Sequence, residues 1–209
     1  ALVIERFDRR WTRDGRLIRL PQEDCCQALS VPPTLKYQSE GGPGIVQILE
    51  FLQGSDTPTE DQDRFFKAQL IFWLMGATDG HAKNFSVYIG PNGAYRLTPL
   101  YDVLSAQPSL IARQIERKQM KLAMSVGNSR HYRVDQIHGR HFVQTGVRAG
   151  LSKARTIALI EEVADTAPAA LDKVASILPK DFPPAIHETV SAGIMDRARG
   201  LILADGNAD

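Results

Sequence analysis

Three oxygen-bearing side chains lie at a sequence spacing that suits phosphoryl transfer. Asp79 precedes Asn84 by five residues, and a second acid, Asp102, follows after two strand-like runs. An acid can accept the proton of an attacking hydroxyl, whereas an amide and a second acid can supply hard oxygen ligands for Mg²⁺. Because phosphoryl transfer depends on positioning and charge neutralisation more than on covalent help, these residues predict a phosphoryl-transfer site.

The two runs between Asn84 and Asp102 predict a β-hairpin. Residues 85–89 and 95–98 are rich in strand-forming residues, and the intervening Gly-Pro-Asn-Gly at 90–93 is a turn signal. A hairpin here folds Asp102 back beside Asn84. Protein kinases use the same order of acid, amide, hairpin and second acid, with a Ser or Thr hydroxyl as the natural acceptor.

The helix that precedes Asp79 has clear limits in the sequence. Thr57 and Glu60 have capping-box spacing, Pro58 fits the first turn, and Asp61 adds favourable charge near the dipole. Gly76 permits the left-handed exit that ends the helix. Apolar residues recur at helical spacing and predict a buried helix: Phe66, Leu70, Trp73 and Leu74.

Other interpretations of these residues remain open. An acid and an amide five residues apart also occur by chance, and an aspartate after a helix often only caps a turn. Asp79, His81 and Asn84 are also compatible with a metal-dependent hydrolase in which His81 is a ligand. His138 and His141 can in principle share a metal, but they lack a nearby cysteine, so packing or capping is favoured.

The sequence around the site resembles the HipA family of bacterial toxin kinases. The strings that carry the resemblance are GATDGHAKNFS at 76–86 and LTPLYDVLS at 97–105. Further matching stretches lie at 3–11, 19–24, 41–45, 121–124 and 168–172, so the resemblance runs from about residue 2 to about residue 203. It implies a serine/threonine kinase with a compact N-terminal lobe and an all-helical C-terminal lobe, the part that this chain matches.

The resemblance also implies roles for individual residues. With ATP and Mg²⁺ as cofactors, it implies Asp79 as catalytic base and Asn84 and Asp102 as metal ligands. It places Glu5 and Phe7 on the hinge whose backbone meets adenine. We assign three further residues of the site motifs to nucleotide binding: His81, Lys83 and Tyr101.

The family implies two kinds of partner. Its target is glutamyl-tRNA synthetase, and its neutralising partner is a HipB-like DNA-binding antitoxin, through which operator DNA is reached indirectly. Arg130 and Arg133 lie in a basic, loop-like stretch and are candidate contacts to DNA phosphates. A charged solvent-exposed face is the alternative, and we favour it slightly.

A complete kinase also has a glycine-rich phosphate loop and a strand lysine upstream of the hinge. The chain is expected to start at the hinge. Its glycines at 41–44 follow a helical-looking stretch and a Pro32–Pro33 break, so we interpret them as a structural loop, and Lys36 and Lys67 fall in loop-like and helical contexts. We therefore expect this chain to be inactive by itself. The alternative is a truncated module that binds the antitoxin or the substrate without turnover.

Composition indicates an ordinary folded protein. With 209 residues, 43% hydrophobic and 23% charged, the chain can bury a substantial core, and its net charge of +1 gives no global drive toward nucleic acid or membrane. Adjacent Cys25 and Cys26 exclude a disulfide framework and fit a reduced, cytoplasmic location as buried helix residues. No apolar run has transmembrane length.

The predicted fold class is mainly α, a protein-kinase-like helical C-lobe with small β-hairpins near the hinge and after the catalytic loop. Residues 1–20 are predicted to form a hinge strand and hairpin at the lobe junction, with strands at 2–7 and 16–20, and residues 21–209 the helical lobe of a single domain. Three helical patterns follow Ser152, and the second begins at Pro168.

Overall fold

The computed structural model describes residues 4–202, and they form seven α-helices and three small antiparallel sheets. The helices are α1 (Cys25–Ala28), α2 (Ile45–Leu52), α3 (Pro58–Met75), α4 (Gln107–Ile111), α5 (Gly139–Arg148), α6 (Lys153–Ile177) and α7 (Pro184–Ile202). The strands are β1 (Arg9–Trp11), β2 (Leu17–Arg19), β3 (Gln22–Asp24), β4 (Ser86–Ile89), β5 (Tyr95–Leu97), β6 (Lys121–Val126) and β7 (His131–Arg133). The mainly α prediction is confirmed.

Helix α3 is the centre of the core and leads into the Asp79 loop. It packs against α2, α6 and α7. Because these helices cover several of its faces, most of its apolar residues are buried, and Phe65 and Phe66 are both fully buried. The burial predicted for Phe66, Leu70, Trp73 and Leu74 is confirmed.

The predicted limits of α3 are confirmed, but the predicted capping box is wrong. Thr57 is the N-cap residue and Pro58 opens the helix, yet the Thr57 side chain makes no capping hydrogen bond. Gly76 ends the helix with φ +61°. Asp61 is 1% exposed, and one of its carboxylate oxygens accepts the backbone N–H of Leu97 at 3.1 Å. Asp61 thus supports the strand that leads to Asp102, in addition to any effect on the helix dipole.

The predicted hairpin after Asn84 is confirmed. Strands β4 and β5 pair antiparallel, with Val87 opposite Leu97 and Ile89 opposite Tyr95. Strand β3 pairs with the other edge of β4 and gives a three-stranded sheet in the order β3-β4-β5.

The N-terminal hairpin forms, but its first strand lies later than predicted. Strand β1 begins at Arg9, whereas 2–7 were predicted; residues 2 and 3 lie outside the described residues, and Phe7 begins a turn. The predicted turn at Asp14–Gly15 forms, with φ +78° at Gly15. Strand β2, at Leu17–Arg19, pairs with the residues directly before this turn, because a short turn brings only its flanking residues together.

Two other sequence interpretations are wrong. Helix α6 runs unbroken through Pro168, where a new helix was predicted to start. Proline has no backbone N–H, so the helix loses one internal hydrogen bond at this position. Helix α6 packs along α3, α5 and α7, and this tertiary packing keeps the helix continuous. The loop-like stretch around 130–133 is instead part of a third hairpin, β6–β7, in which His131 and Arg133 belong to β7.

Cys25 and Cys26 are buried, unbonded residues of α1, as predicted. Among residues 4–202, no helix is both long enough and apolar enough to cross a membrane.

Candidate functional site

The Asp79 loop leaves the core directly after α3. Asp79 is exposed, with 61% of its side chain accessible, and the Tyr37 hydroxyl donates a hydrogen bond of 2.5 Å to Asp79 Oδ1. The bond to Asp79 raises the pKa of Tyr37 to about 12, so the phenol stays protonated and remains a donor at neutral pH. One carboxylate oxygen of Asp79 is thereby held in place while the side chain stays open to solvent.

His81 lies beside this acid but inside the protein. Its Nε2 is 3.8 Å from Asp79 Oδ1, and the Tyr37 ring meets its imidazole edge to face at 5.1 Å. Burial lowers the pKa of His81, so the ring is neutral at pH 7. Within the described part of the chain, no group of three or more His, Cys, Asp or Glu residues is arranged to hold a metal.

Asn84 and Asp102 lie side by side, as the hairpin predicted. Asn84 Nδ2 donates to Asp102 Oδ2 at 2.8 Å. An ionised carboxylate only accepts hydrogen bonds, so the amide nitrogen of Asn84 must face Asp102. The amide oxygen of Asn84 therefore points away from Asp102. Asn84 is 2% exposed, and its Oδ1 is buried without a hydrogen-bond partner among the described residues. Such a buried acceptor is costly unless something binds it.

The backbone of Asp102 and the residues after it are held by the end of α3. Asp102 has φ +57°, an uncommon conformation for a residue other than glycine. The Ser105 hydroxyl donates to the Met75 carbonyl at 2.5 Å, and the Ala106 N–H donates to the Gly76 carbonyl at 3.0 Å. The segment with Asp102 and the loop with Asp79 therefore share one anchor.

Arg197 of α7 completes this anchor. Its Nε donates to the Leu74 carbonyl at 2.7 Å, and its Nη1 donates to Gln107 Oε1 at 3.2 Å. Burial lowers the pKa of Arg197 to about 10, so the side chain remains a cation at neutral pH. A guanidinium at the last carbonyls of α3 also complements the helix dipole.

Phe7, Lys83 and Tyr101 surround the pair from the β-sheet side. Lys83 Nζ donates to Asp24 Oδ2 at 2.6 Å. The Tyr101 hydroxyl donates to the Lys83 carbonyl at 2.7 Å, and the Phe7 ring stacks on Tyr101 at 5.5 Å. Burial raises the pKa of Tyr101 to about 12. The structure thus brings these predicted residues together. The hydroxyl of Tyr101 and the ammonium of Lys83 already form hydrogen bonds within the protein.

The two predicted hinge residues differ in their surroundings. The Phe7 carbonyl accepts a hydrogen bond of 3.1 Å from the Tyr88 hydroxyl, so it is already used within the protein. Glu5 is exposed, and its side chain makes no hydrogen bond to any residue in 4–202. Their contact with adenine stays a prediction.

Tyr37 was not among the site residues predicted from the sequence, because it lies 42 residues before Asp79 and no local motif includes it. A glycine loop shapes its position. The N–H of Gly42 donates to the Tyr37 carbonyl at 2.9 Å, and a Cβ on Gly42 would lie 2.1 Å from the Leu35 carbonyl oxygen. Gly44 is the N-cap residue of α2. A side chain at Gly42 would clash with this backbone, and the interpretation of residues 41–44 as a structural loop stays a prediction.

The remaining sequence candidates have other immediate partners, although Arg130 and Arg133 line a cleft together with Tyr37 and Thr78. His138 is the N-cap residue of α5, and its N–H donates to His141 Nδ1 at 3.1 Å, so the predicted capping role is confirmed. Arg133 forms an ion pair of 2.7 Å with Asp135. Arg130 is exposed in the β6–β7 turn and forms no ion pair with a described residue.

Comparison with known proteins identifies the family. The model of the HipA-like C-terminal domain matches residues 1–171. The serine/threonine-protein kinase toxin HipA of Shewanella oneidensis is 26% identical over 191 residues, which cover 86% of this chain and 42% of that protein. A Sinorhizobium fredii protein named "Putative kinase Y4mE" is 41% identical over 129 residues, 60% of this chain and 29% of that protein.

A solved structure shares the fold. A chain of the Shewanella oneidensis MR-1 complex of HipA, HipB and operator DNA superposes with a TM-score of 0.84 at 23% identity, over 98% of this chain and 50% of that one. The chain is therefore a mainly α protein of the HipA type. It belongs to the HipA-like C-terminal domain family, and it spans less than half the length of the two relatives named above.

Proposed function

We propose that this chain is the catalytic part of a serine/threonine protein kinase of the HipA toxin type, which transfers the γ-phosphate of ATP to a protein hydroxyl. One observation carries the proposal: the unpartnered, buried Oδ1 of Asn84 lies beside the Asp102 carboxylate, five residues after an exposed acid. A buried acceptor without a partner calls for an explanation, and a bound ion is one that fits the neighbouring carboxylate.

The donor set fits Mg²⁺. Asn84 supplies an amide oxygen and Asp102 a carboxylate, which are the hard ligands that Mg²⁺ prefers. One or two protein ligands are sufficient, because Mg²⁺ keeps several waters and takes others from the nucleotide phosphates. When bound, the ion neutralises charge on those phosphates.

Asp79 is proposed as the base. Its exposed carboxylate can accept a hydrogen bond from an acceptor Ser or Thr hydroxyl, orient it, and take its proton as the phosphoryl group transfers. The Tyr37 hydroxyl occupies one oxygen of Asp79 and leaves the other for the acceptor. Neutral His81 is buried beside the acid and packs against the Tyr37 ring.

On the nucleotide side, Glu5 and Phe7 are proposed to meet adenine through their backbone, and His81, Lys83 and Tyr101 to shape the phosphate site. The support is their placement: Phe7 stacks on Tyr101, the residue before Asp102, and Lys83 precedes Asn84. The carbonyl of Phe7 would have to exchange its bond from Tyr88 to take part.

The partners are proposed from the family. A HipB-like antitoxin is the expected neutralising partner, with operator DNA reached through it, as in the Shewanella complex named above. Glutamyl-tRNA synthetase as the target and the cytoplasm as the location rest on the resemblance alone. Arg130 and Arg133 as DNA contacts stay a prediction, and charge reversal of both should lower the affinity of the assembled complex for operator DNA at low salt.

We also propose that the 209-residue chain transfers phosphate poorly by itself. Gly42 packs against the Leu35–Tyr37 backbone, so we do not interpret the glycines at 41–44 as a phosphate loop. Lys36 lies in a loop and Lys67 in α3, so neither is a strand lysine. Loss of transition-state donors typically costs about 3 kcal/mol each. A module that binds the antitoxin or the substrate without turnover is the alternative.

Calorimetric titration of the chain with Mg-ATP tests the proposal. The expected result is binding that requires Mg²⁺ and is weakened in Asp102→Asn but not in the control Asp165→Asn, which removes an exposed carboxylate on α6. The titration is repeated with the N-terminal lobe of a family member supplied separately. Absence of Mg-ATP binding in every combination would reject the nucleotide site and favour the binding module.

A further inference from the structure

The two acids of the candidate site are held by uncharged groups. Asp79 accepts a hydrogen bond from the Tyr37 hydroxyl, and Asp102 accepts one from the Asn84 amide. The nucleotide that the proposed function brings to this site adds the negative charge of its phosphates. Because phosphoryl transfer depends on neutralising that charge, a cation of the protein is expected beside the transferred group, in addition to Mg²⁺.

Three basic side chains near these acids do not offer a free positive charge. Lys83 Nζ donates to Asp24 Oδ2 at 2.6 Å. Burial lowers the pKa of His81, so its ring is neutral at pH 7. Arg197 Nε donates to the Leu74 carbonyl at the end of α3. Each of the two cations would have to give up a contact to bind a phosphate.

Lys36 lies against the loop that contains Asp79. Its carbonyl accepts the backbone N–H of Ala82 at 3.4 Å. The next residue, Tyr37, donates from its hydroxyl to Asp79 Oδ1 at 2.5 Å. The backbone at Lys36 is therefore held to the loop at two points, although 43 residues separate Lys36 from Asp79 in the sequence.

The side chain of Lys36 lies over an aromatic ring of the site. It is half-buried, and its Nζ is 5.0 Å from the centre of the Tyr37 ring, which also meets His81 at 5.1 Å. Burial is the main cause of the lowered pKa of His81, and the positive charge of Lys36 lowers it further. Within residues 4–202, Lys36 Nζ forms no ion pair and no hydrogen bond. Its three N–H donors thus remain available to an anion.

We propose that Lys36 is a further catalytic residue, whose ammonium binds the γ-phosphoryl group as this group moves from ATP to the acceptor hydroxyl. The inference rests on the proposed kinase function and adds a cation of this chain to it. In the step, the bond from phosphorus to the acceptor oxygen forms, the bond to the ADP oxygen breaks, and the acceptor proton passes to Asp79. Lys36 keeps its protons throughout and supplies charge only. It is distinct from the strand lysine of a complete kinase, which pairs with the α- and β-phosphates.

Amine footprinting of the complete protein tests the inference without turnover. Lysines are acetylated with N-hydroxysuccinimidyl acetate in the presence of Mg-AMP-PNP, which keeps a γ-phosphate, of Mg-ADP, or of no nucleotide, and mass spectrometry gives the rate at each lysine. Mg-AMP-PNP should slow acetylation of Lys36 about fivefold, because a nearby anion keeps the amine protonated and unreactive. Mg-ADP should leave the rate unchanged. Equal rates with the two nucleotides would overturn the inference.

Lys67 is the matched control for the footprint. It is also half-buried, but its Nζ pairs with Glu162 of α6 at 2.8 Å. Its acetylation rate should be the same under all three conditions. If Mg-AMP-PNP slows Lys36 and Lys67 equally, the protection is a general effect of nucleotide on the protein, and the inference is rejected.

Substitutions separate a catalytic role from a structural one. In the complete protein, with glutamyl-tRNA synthetase as the acceptor, Lys36→Met should lower kcat about 10²-fold with little change in KM for ATP, because the charge acts on the group in transfer. Lys36→Arg keeps the charge and should recover part of this loss, whereas Lys67→Met should match the wild type. If Lys36→Met and Lys36→Arg lower kcat equally, Lys36 acts only by packing on Tyr37, and the inference fails.

The same measurements separate the inference from its basis. If the wild type phosphorylates the acceptor, Asp79→Asn does not, and Lys36→Met is as active as the wild type, the kinase function stands and the inference fails. If calorimetry shows no binding of Mg-AMP-PNP to the complete protein, both fail. The footprint requires no acceptor, so it decides the role of Lys36 even if the target is another protein.

Discussion

The β4–β5 and β6–β7 hairpins, which both follow the Asp79 loop, differ in how their polar groups are used. The β4–β5 hairpin satisfies them within the protein: Asp61 accepts from the N–H of Leu97, and Arg64 donates to the carbonyls of Leu97 and Thr98 at 3.4 Å each. The β6–β7 hairpin instead sets Lys121 opposite Arg133 beside an open cleft.

This difference indicates two kinds of task. The acids of a phosphoryl-transfer site need a fixed position, and a hairpin whose own hydrogen bonds are complete supplies one. A surface that recognises a charged partner must keep its charge available, even where this lowers stability. Tyr37 and Gln38 lie between the two, since Tyr37 binds Asp79 and Gln38 Oε1 accepts from the Ser125 N–H of β6 at 2.6 Å.

The largest expected effect is on the β4–β5 side. Phe85 is 1% exposed and packs at ring distances of 4.8 Å from Phe65 and 5.6 Å from Phe72. Phe85→Ala should lower the free energy of unfolding by about 3–5 kcal/mol in urea titrations. The control Leu104→Ala, at a position 73% exposed, should change it by less than about 0.5 kcal/mol. Similar losses would mean that the hairpin is not fixed by its core contact.

Next come the two acids of the candidate site, Asp79 on the loop after α3 and Asp102 after the hairpin. In the complete protein, Asp79→Asn should lower kcat by about 10²–10⁴ with nucleotide affinity retained, because only proton acceptance is lost. Asp102→Asn should instead weaken Mg²⁺-dependent nucleotide binding. Steady-state kinetics and calorimetry on both variants measure the two effects. Identical behaviour would show that the roles are not divided as proposed.

His141, a buried residue of α5, should make the free energy of unfolding depend on pH. Burial first, then the neighbouring His131, Arg140 and His138, lower the pKa of His141 to about 4. The unfolded state, with a histidine pKa of about 6.5, binds the proton first, so stability is lost as pH falls from about 6.5 toward 4, by about 2 kcal/mol.

The variant His141→Gln isolates this contribution. Glutamine can still accept the N–H of His138 but does not titrate. Urea unfolding at pH 7, 6, 5 and 4 should show a smaller loss of stability in the variant than in the wild type. Parallel curves would exclude His141 as the source.

Tyr37→Phe probes the link between the two hairpins. The variant keeps the ring contact with His81 but loses the hydroxyl that fixes Asp79. We expect kcat to fall about tenfold while KM for ATP is unchanged, because one hydrogen bond to a charged group is worth about 1.5 kcal/mol or more. In the control, Tyr132→Phe removes a hydroxyl that makes no hydrogen bond to a described residue. An equal kcat in Tyr37→Phe and the wild type would remove Tyr37 from the site.

The smallest expected effect has the opposite sign. Lys121→Gln removes one of the two like charges paired across β6 and β7, so it should raise the free energy of unfolding by about 0.3 kcal/mol. Lys118→Gln is the control, since Lys118 pairs with Glu116 at 2.8 Å on the surface. Averaged thermal melts resolve such a difference. A loss of stability in Lys121→Gln would mean that the repulsion is already compensated.

The pair of Asn84 and Asp102 could be predicted because its signals are local. A turn between two strand-like runs fixes their antiparallel pairing, and this brings the flanking residues together. Tyr37 could not be predicted, because its contact with Asp79 spans 42 residues and depends on how a glycine loop packs. The continuity of α6 through Pro168 was missed for a related reason, since packing by distant helices outweighs a local helix-breaking residue.

The bond from Arg197 to Leu74 has a consequence for the order in which the molecule is made. Their separation of 123 residues means that a ribosome finishes α3 and the Asp79 loop long before it reaches the arginine that caps them. The shared anchor of the two acidic segments is therefore complete only after synthesis has passed residue 197. A nascent chain that extends past residue 102 but not to residue 197 contains both acids but lacks the contact from α7 that fixes the end of α3.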